Sequence, residues 1–167
     1  MGREDQGADA ERYTVIPRTL IFLFRGDEVL LLKGSPQKRL WANRYNGIGG
    51  HLERGEGALD AARRELKEET GLDATLLRLC GTVLIDAGAE HGICLLVYWG
   101  EAANGEPQES EEGELNWVHL AELIHLPLVE DLYQLIPAVL RSRETQIPFS
   151  ARYWYDEQNQ LRVEISG

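Results

Sequence analysis

The chain has almost no cysteine. Cys80 and Cys94 are the two among 167 residues. Two is too few for a disulfide framework, and their spacing is not that of a metal site. Both lie in apolar, strand-like runs, so a reducing, cytoplasmic setting is the expectation. Long hydrophobic runs are missing too. No segment reaches the ~18 apolar residues that span a membrane, and the polar opening has no apolar signal core. That opening, residues 1–12, is expected as a disordered tail ahead of a single domain over residues 13–167. Excess positive charge is also absent. A net charge of -11 and a pI near 4.8 disfavour nucleic acid and anionic membranes as partners. A small anionic ligand is still compatible, because bound divalent cations reverse the local field. There is no internal repeat and no low-complexity segment.

What is present is a mixed set of strands and helices. Two apolar runs, RTLIFLF and VLLL, flank a Gly-Asp turn and predict a hairpin. Residues 34–46 are basic, aromatic and turn-rich, a loop leading into a short strand. Residues 58–70 predict a helix with Leu59, Ala62 and Leu66 as its apolar stripe and Gly71 as its stop. Residues 74–85 and 92–99 are two more strands, and residues 115–119 a short one. Helix returns from Leu120, with Leu132, Leu135, Ile136, Val139 and Leu140 at helical spacing. Pro137 lies inside that stripe, so a kink or a late start is expected. RYWYD and QLRVEI flank EQN as a C-terminal hairpin. The sum is a mixed α/β domain with two helices.

The chemistry concentrates in GIGGHLERGEGALDAARRELKEETGL. Glu65 pairs with Glu68 and with Glu69 at three and four residues, so the three carboxylates converge on one side, opposite the Leu59/Leu66 stripe. Like charges at that spacing cost about 0.2–0.5 kcal/mol per pair. They also sit toward the helix C-terminus, where the macrodipole disfavours them. Water, arginine or a metal must offset this. A solvated face is the commoner outcome for an arbitrary Glu-rich helix, and Arg63, Arg64 and Lys67 soften the repulsion. Two features favour the metal. A loop dense in glycine (Gly47, Gly49, Gly50, Gly55 and Gly57) precedes the helix, and the acids gather at its C-terminal half. Hard divalent cations take oxygen ligands, and metal-assisted hydrolysis of a phosphoanhydride is the natural reaction class.

The stretch resembles the Nudix hydrolase signature. That signature is Gly, five residues, Glu, seven residues, then Arg-Glu-aliphatic-any-Glu-Glu-any-Gly-aliphatic. Here Gly50, Glu56, Arg64, Glu65, Leu66, Glu68, Glu69, Gly71 and Leu72 fill every constrained position. The resemblance implies an α/β/α sandwich around a central mixed sheet, closed by the C-terminal hairpin. It implies an enzyme that cleaves a nucleoside diphosphate linked to another group, with Mg²⁺ or Mn²⁺. Glu65, Glu68 and Glu69 would bind the metal, with backbone carbonyls near Gly50 completing its shell. One of these acids, or a glutamate from a distant loop, would activate the water. Arg64 stands among the catalytic set, and with Glu56 it would hold loop against helix through an ion pair.

One branch is closer: the MutT-like nucleoside triphosphate pyrophosphohydrolases, among them enzymes that remove 8-oxo-dGTP. RYNGIGGHLERGE is similar to that branch's Trp-Asn-Gly-Phe-Gly-Gly-Lys run, and Asn46 falls where its purine-reading asparagine sits. GEPQESEEGELNW is similar to its acidic loop, with Glu112 at the extra metal-binding glutamate. Lys33 matches a substrate-contacting lysine. Asp131 matches one of two adjacent acids that read the oxidised purine, while its neighbour here is Leu132. Residues 34–44 form a longer loop than that branch has. Trp41, Tyr45 and Trp117 are the aromatics available to stack on a base. His51 and His91 receive no catalytic role. The implied partner is a small nucleotide, on a monomer or a homodimer. Rival substrates are ADP-ribose, dinucleoside polyphosphates and nucleotide sugars. A rival of another class is a nucleotide sensor without turnover, which the intact glutamate set argues against.

Overall fold

The computed structural model describes residues 2, 4–7, 11–108 and 112–167. The expected tail falls partly on residues 1, 3 and 8–10, outside the described residues, and Glu4–Gln6 form one 3-10 turn within it. The strands are β1 Val15–Arg25, β2 Glu28–Gly34, β3 Tyr45–Asn46, β4 Ala74–Asp86, β5 Gly92–Ala102, β6 Gly113–His119, β7 Phe149–Tyr155 and β8 Leu161–Ser166. The helices are α1 Ala58–Thr70 and α2 Leu132–Thr145. The strands form one sheet in the order β3-β2-β1-β5-β4-β7-β8, with β6 on the other edge of β2. β1 with β5 and β4 with β7 run parallel, and the remaining pairs are antiparallel. This is the mixed sheet expected.

The continuous apolar character of β1 follows from its place at the centre. Leu20, Phe22 and Phe24 enter the core under α2, while Ile21 and Leu23 enter the core under α1. A strand buried on both faces shows an unbroken apolar run rather than alternation. β2 does the same, with Val29 and Leu31 on the α2 side and Leu30 and Leu32 on the α1 side. Full burial of each such side chain contributes about 1.5–3 kcal/mol.

Helix α1 spans the expected residues. Gly71 ends it in the left-handed conformation (φ 70°), and its N–H donates to the Lys67 carbonyl. The stripe differs from expectation. Ala61, Ala62, Leu66 and Thr70 are buried, whereas Leu59 is 36% exposed. The two alanines let the helix lie close to the sheet, and Leu59 falls on the rim.

The second helical region also differs. Leu120–His125 is a 3-10 turn, capped by His119 Nδ1 accepting from the Ala121 N–H at 3.2 Å. The chain is then extended before α2 begins at Leu132. The Tyr133 hydroxyl pins this segment, donating to the Leu126 carbonyl at 2.6 Å and accepting from the Leu128 N–H at 3.2 Å. Pro137 sits within α2 and the helix continues through it, burying Leu132, Leu135, Ile136 and Val139. Those residues are three or four apart, one face of a helix.

β1 and β2 pair only from Leu23↔Leu30 to Arg25↔Glu28 around the Gly26-Asp27 turn. The rest of that β1 edge is taken by the glycine-dense loop. Ile21 and Ile48 exchange N–H···O bonds of 2.6 and 3.1 Å, and the Thr19 N–H donates to the Gly50 carbonyl at 2.8 Å. The Leu52 N–H donates to the Pro17 carbonyl at 3.2 Å. Gly49 makes this approach possible. Its φ of 149° and the Thr19 carbonyl oxygen leave no room for a Cβ. Gly49→Ala is expected to destabilise the protein by roughly 3 kcal/mol through clash and backbone strain. Urea unfolding monitored by circular dichroism measures this, and an unchanged midpoint would refute it.

Candidate active site

The loop delivers Gly50 to the face of α1. A Cβ on Gly50 would lie 2.5 Å from Glu65 Oε1, so the Glu65 carboxylate occupies the space that glycine leaves. Arg64 binds the loop to the helix. Its Nε and Nη2 donate to the two Glu56 oxygens at 2.9 and 3.0 Å. Nη2 also donates to the His51 carbonyl at 3.1 Å. Nη1 donates to Glu65 Oε1 at 2.9 Å and to Glu68 Oε2 at 3.0 Å. The bidentate pair is the strong, directional kind of ion pair. Glu56, and then Glu65, hold the guanidinium firmly charged. Arg64 in turn holds the Glu56 carboxyl below the usual range, helped by the Glu53 N–H. Arginine is therefore one of the agents that offset the crowded charge.

The three helix carboxylates have unlike surroundings. Glu65 is 14% exposed and Glu68 61%. Glu69 is half-buried beside the core, and its carboxyl is pushed up to about 8, first by burial, then by Glu112 and Glu65. A backbone hydrogen bond at Gly49 and the charge of Lys38 pull it back. Glu65 and Glu69 thus flank the buried face of α1 rather than standing opposite it, while Glu68 is exposed. Among the described residues no three acidic, His or Cys side chains already stand at metal-binding spacing. The donor set nonetheless suits a hard divalent cation. It is all oxygen, it carries more negative charge than its partly dehydrated setting favours, and its partner Arg64 is shared. The Gly50 carbonyl accepts from Thr19, which leaves one lone pair free for a ligand.

Beside this helix opens a cleft of about 560 Å³. Glu69 and Glu112 are its acids, and Arg18, Lys38, Arg39 and Arg44 its cations. Asn46 also lines it, although its Oδ1 already accepts the Gly47 N–H at 2.8 Å. Lys38 Nζ donates to Glu112 Oε2 at 2.6 Å, and the Ser35 N–H to the Glu112 carbonyl at 3.1 Å. The acidic stretch at residues 109–111, before Glu112, lies outside the described residues. Leu40 and Trp41 sit exposed on the cleft wall, Trp41 with φ 62°.

Three expected contacts stand elsewhere. Lys33 is on β2 with its Nζ 5.9 Å from the centre of the Tyr45 ring, off the cleft lining. Asp131 precedes α2. Burial pushes its carboxyl up, and Tyr153, facing it without a hydrogen bond of good geometry, pulls it back. Trp117, off the cleft lining, is half-buried against the core under α1, with the Arg25 guanidinium 4.3 Å from its ring centre. Conversely, Arg18, Arg39 and Arg44 join the cleft without having been singled out in the sequence. The one available signal for Arg18 was a lone charge opening a run buried on both faces. A larger cleft of about 740 Å³ crosses the uncovered face of β4, β7 and β8, where Asp86 and Glu164 are its acids. It holds no comparable cluster.

A glycine loop stitched to a sheet edge, an Arg-Glu clasp and a glutamate-lined helix beside a cationic cleft define a class. The NUDIX domain model matches residues 15–139, and the chain belongs to the Nudix hydrolase family. It is 28% identical over 144 residues to an oxidized purine nucleoside triphosphate hydrolase of Mus musculus, covering 86% of this chain and 88% of the relative. It is 32% identical over 132 residues to the NAD-capped RNA hydrolase NudC of Pseudomonas syringae pv. syringae. That match spans 77% of this chain but only 45% of the relative. The fold is similar to the crystal structure of the mutator MutT protein from Bacillus halodurans, with a TM-score of 0.76 and 24% identity. The match covers 91% of this chain and 98% of that one. The protein is an enzyme of the Nudix hydrolase class, and no helix among the described residues is long and apolar enough to cross a membrane.

Proposed function

We propose that the enzyme is a divalent-metal-dependent pyrophosphohydrolase of nucleoside triphosphates, 8-oxo-dGTP among them. It releases the nucleoside monophosphate and pyrophosphate. The observation that carries this is the cleft itself. In a chain of net charge -11, four cationic side chains gather against the glutamate helix. Such a patch suits the several negative charges of a triphosphate. The mouse relative, matched over most of its length, supports the same substrate class.

Glu65, Glu68, Glu69 and Glu112, with the Gly50 carbonyl, would hold Mg²⁺ or Mn²⁺. That cation, when bound, supplies charge neutralisation at the phosphoryl oxygens. Arg64 positions Glu65 and Glu68 rather than reacting. One of the glutamates accepts the proton of the attacking water. Lys38, Arg39, Arg44 and Arg18 bind and orient the phosphate chain. Asn46 offers both donor and acceptor to a purine edge. Lys33 and Asp131 would meet the base end from the α2 side, and Trp117 is assigned to packing. The working unit is residues 13–167, as a monomer or a homodimer. Free Cys80 and Cys94 support a reducing, cytoplasmic setting.

The test is steady-state hydrolysis of 8-oxo-dGTP, dGTP, dATP, ADP-ribose and diadenosine tetraphosphate, with products identified, in Mg²⁺ and in EDTA. We expect 8-oxo-dGTP to lead in kcat/KM, pyrophosphate as product, and no turnover in EDTA. A lead by ADP-ribose or the dinucleotide would overturn the substrate assignment. Turnover that survives chelation would overturn the metal role.

A further inference from the structure

The sheet ends in β8, a strand with one partner. Its pairs with β7 run unbroken from Ser150↔Ser166 to Tyr155↔Leu161, and among the described residues its outer edge meets no other strand. Proteins blunt such edges with charged side chains, lysine above all, with proline or with a bulge. β8, with the sequence LRVEIS, has no lysine, proline or bulge, and its two charges, Arg162 and Glu164, are of opposite sign. Its side chains alternate. Leu161, Val163 and Ile165 are half-buried and pack on the α2-side core, while Arg162 and Glu164 are exposed on the other face. Exposed apolar side chains stand close by in sequence at both ends of the β7–β8 hairpin. Ile147 is 61% exposed, and Tyr155, opposite Leu161, 44%.

We propose that a second copy of this chain occupies that edge, with β8 pairing antiparallel to β8 about a two-fold axis at Val163. The charge pattern selects this register. Centred on Val163, Arg162 stands opposite Glu164 of the second copy, and Glu164 opposite its Arg162. Leu161 then faces Ile165 and Val163 faces Val163, which continues the apolar layer across the junction. Centred on Arg162 or on Glu164, like charges would stand directly opposite, which destabilises a strand pair. A C2 contact of this kind is self-complementary and closes at two copies. The other free long edge, β6, has the sequence GELNWVH, with Glu114 and no lysine or arginine to match it. Arg162 is held ready on its face by Asp156, which accepts from its Nε at 2.7 Å.

Sedimentation velocity and light scattering test this on the full chain, with Glu164→Arg, Arg162→Glu and the double variant Arg162→Glu/Glu164→Arg. We expect a dimer for the wild type at high micromolar concentration, monomers for each single reversal, and a restored dimer for the double. Circular dichroism and nucleotide hydrolysis should be unchanged throughout, since neither residue lines the cationic cleft beside α1. Amide exchange across residues 161–166 of the wild type should slow as concentration rises, which keeps the test decisive if a variant misfolds. A wild type that stays monomeric would overturn the proposal. So would single reversals that remain dimeric, a double variant that stays monomeric, or exchange that ignores concentration.

Discussion

Glu68→Gln is expected to lower kcat/KM on the order of a thousandfold, about 4 kcal/mol of transition-state stabilisation, with no loss of fold. Glu68 is 61% exposed and makes one ion pair, to Arg64 at 3.0 Å. Arg64 keeps its bidentate grip on Glu56 without it. Removing one exposed charge therefore costs stability no more than about 0.5 kcal/mol. In the proposed metal-binding role the same charge is decisive, because a glutamine carbonyl is a far weaker partner for a divalent cation. Thermal unfolding and initial rates, measured on the same preparation, separate the two effects. A stable variant at full activity would remove Glu68 from the reacting set. An unfolded one would show that the ion pair supports the fold.

Gly50→Ala should produce the next largest loss by a different route. The backbone at Gly50 is not in the left-handed region, so alanine fits its conformation. The added methyl would press on the Glu65 carboxylate at 2.5 Å and displace it, together with its 2.9 Å bond to Arg64. A displacement of about 1 Å at a reacting group costs roughly a hundredfold in rate. The far end of a glutamate moves easily, so the melting temperature should barely change. The neighbouring Gly49→Ala differs in costing stability as well, because there the obstruction is backbone. Stability thus tells the two adjacent glycines apart, and equal melting temperatures of the two variants would contradict the geometry.

The extent to which the sequence reveals this protein varies by element. α1 is legible to the residue because glycines punctuate both ends and its signature is gapless. Its buried face is less legible. Period alone cannot decide between adjacent apolar positions, and Ala61 wins over Leu59 because only a small side chain lets the helix approach the sheet. The clasp of Arg64 on Glu56 follows from the family pattern, whereas its bond to the His51 carbonyl needs three dimensions. Pairing of residues 48–52 with β1 is invisible in the sequence, since that contact is long-range and the loop has no strand periodicity. The cleft cations arrive from β1 and from the loop before β3, two segments that share no local signal. Trp117 is legible only in part. An aromatic near an acidic loop suggests stacking, and the structure places its ring half-buried against the α1-side core beside the Arg25 guanidinium.

The stitching of the glycine loop to β1 ties catalysis to the cooperative unit of the protein. A free loop can open at little cost, while amides bonded into a central strand open only in sub-global or global fluctuations. The N–H groups of Ile48 and Leu52 should therefore exchange with solvent as slowly as those of a strand. Any change that loosens the sheet beneath them will disperse the carboxylate cluster together with the strand pairing.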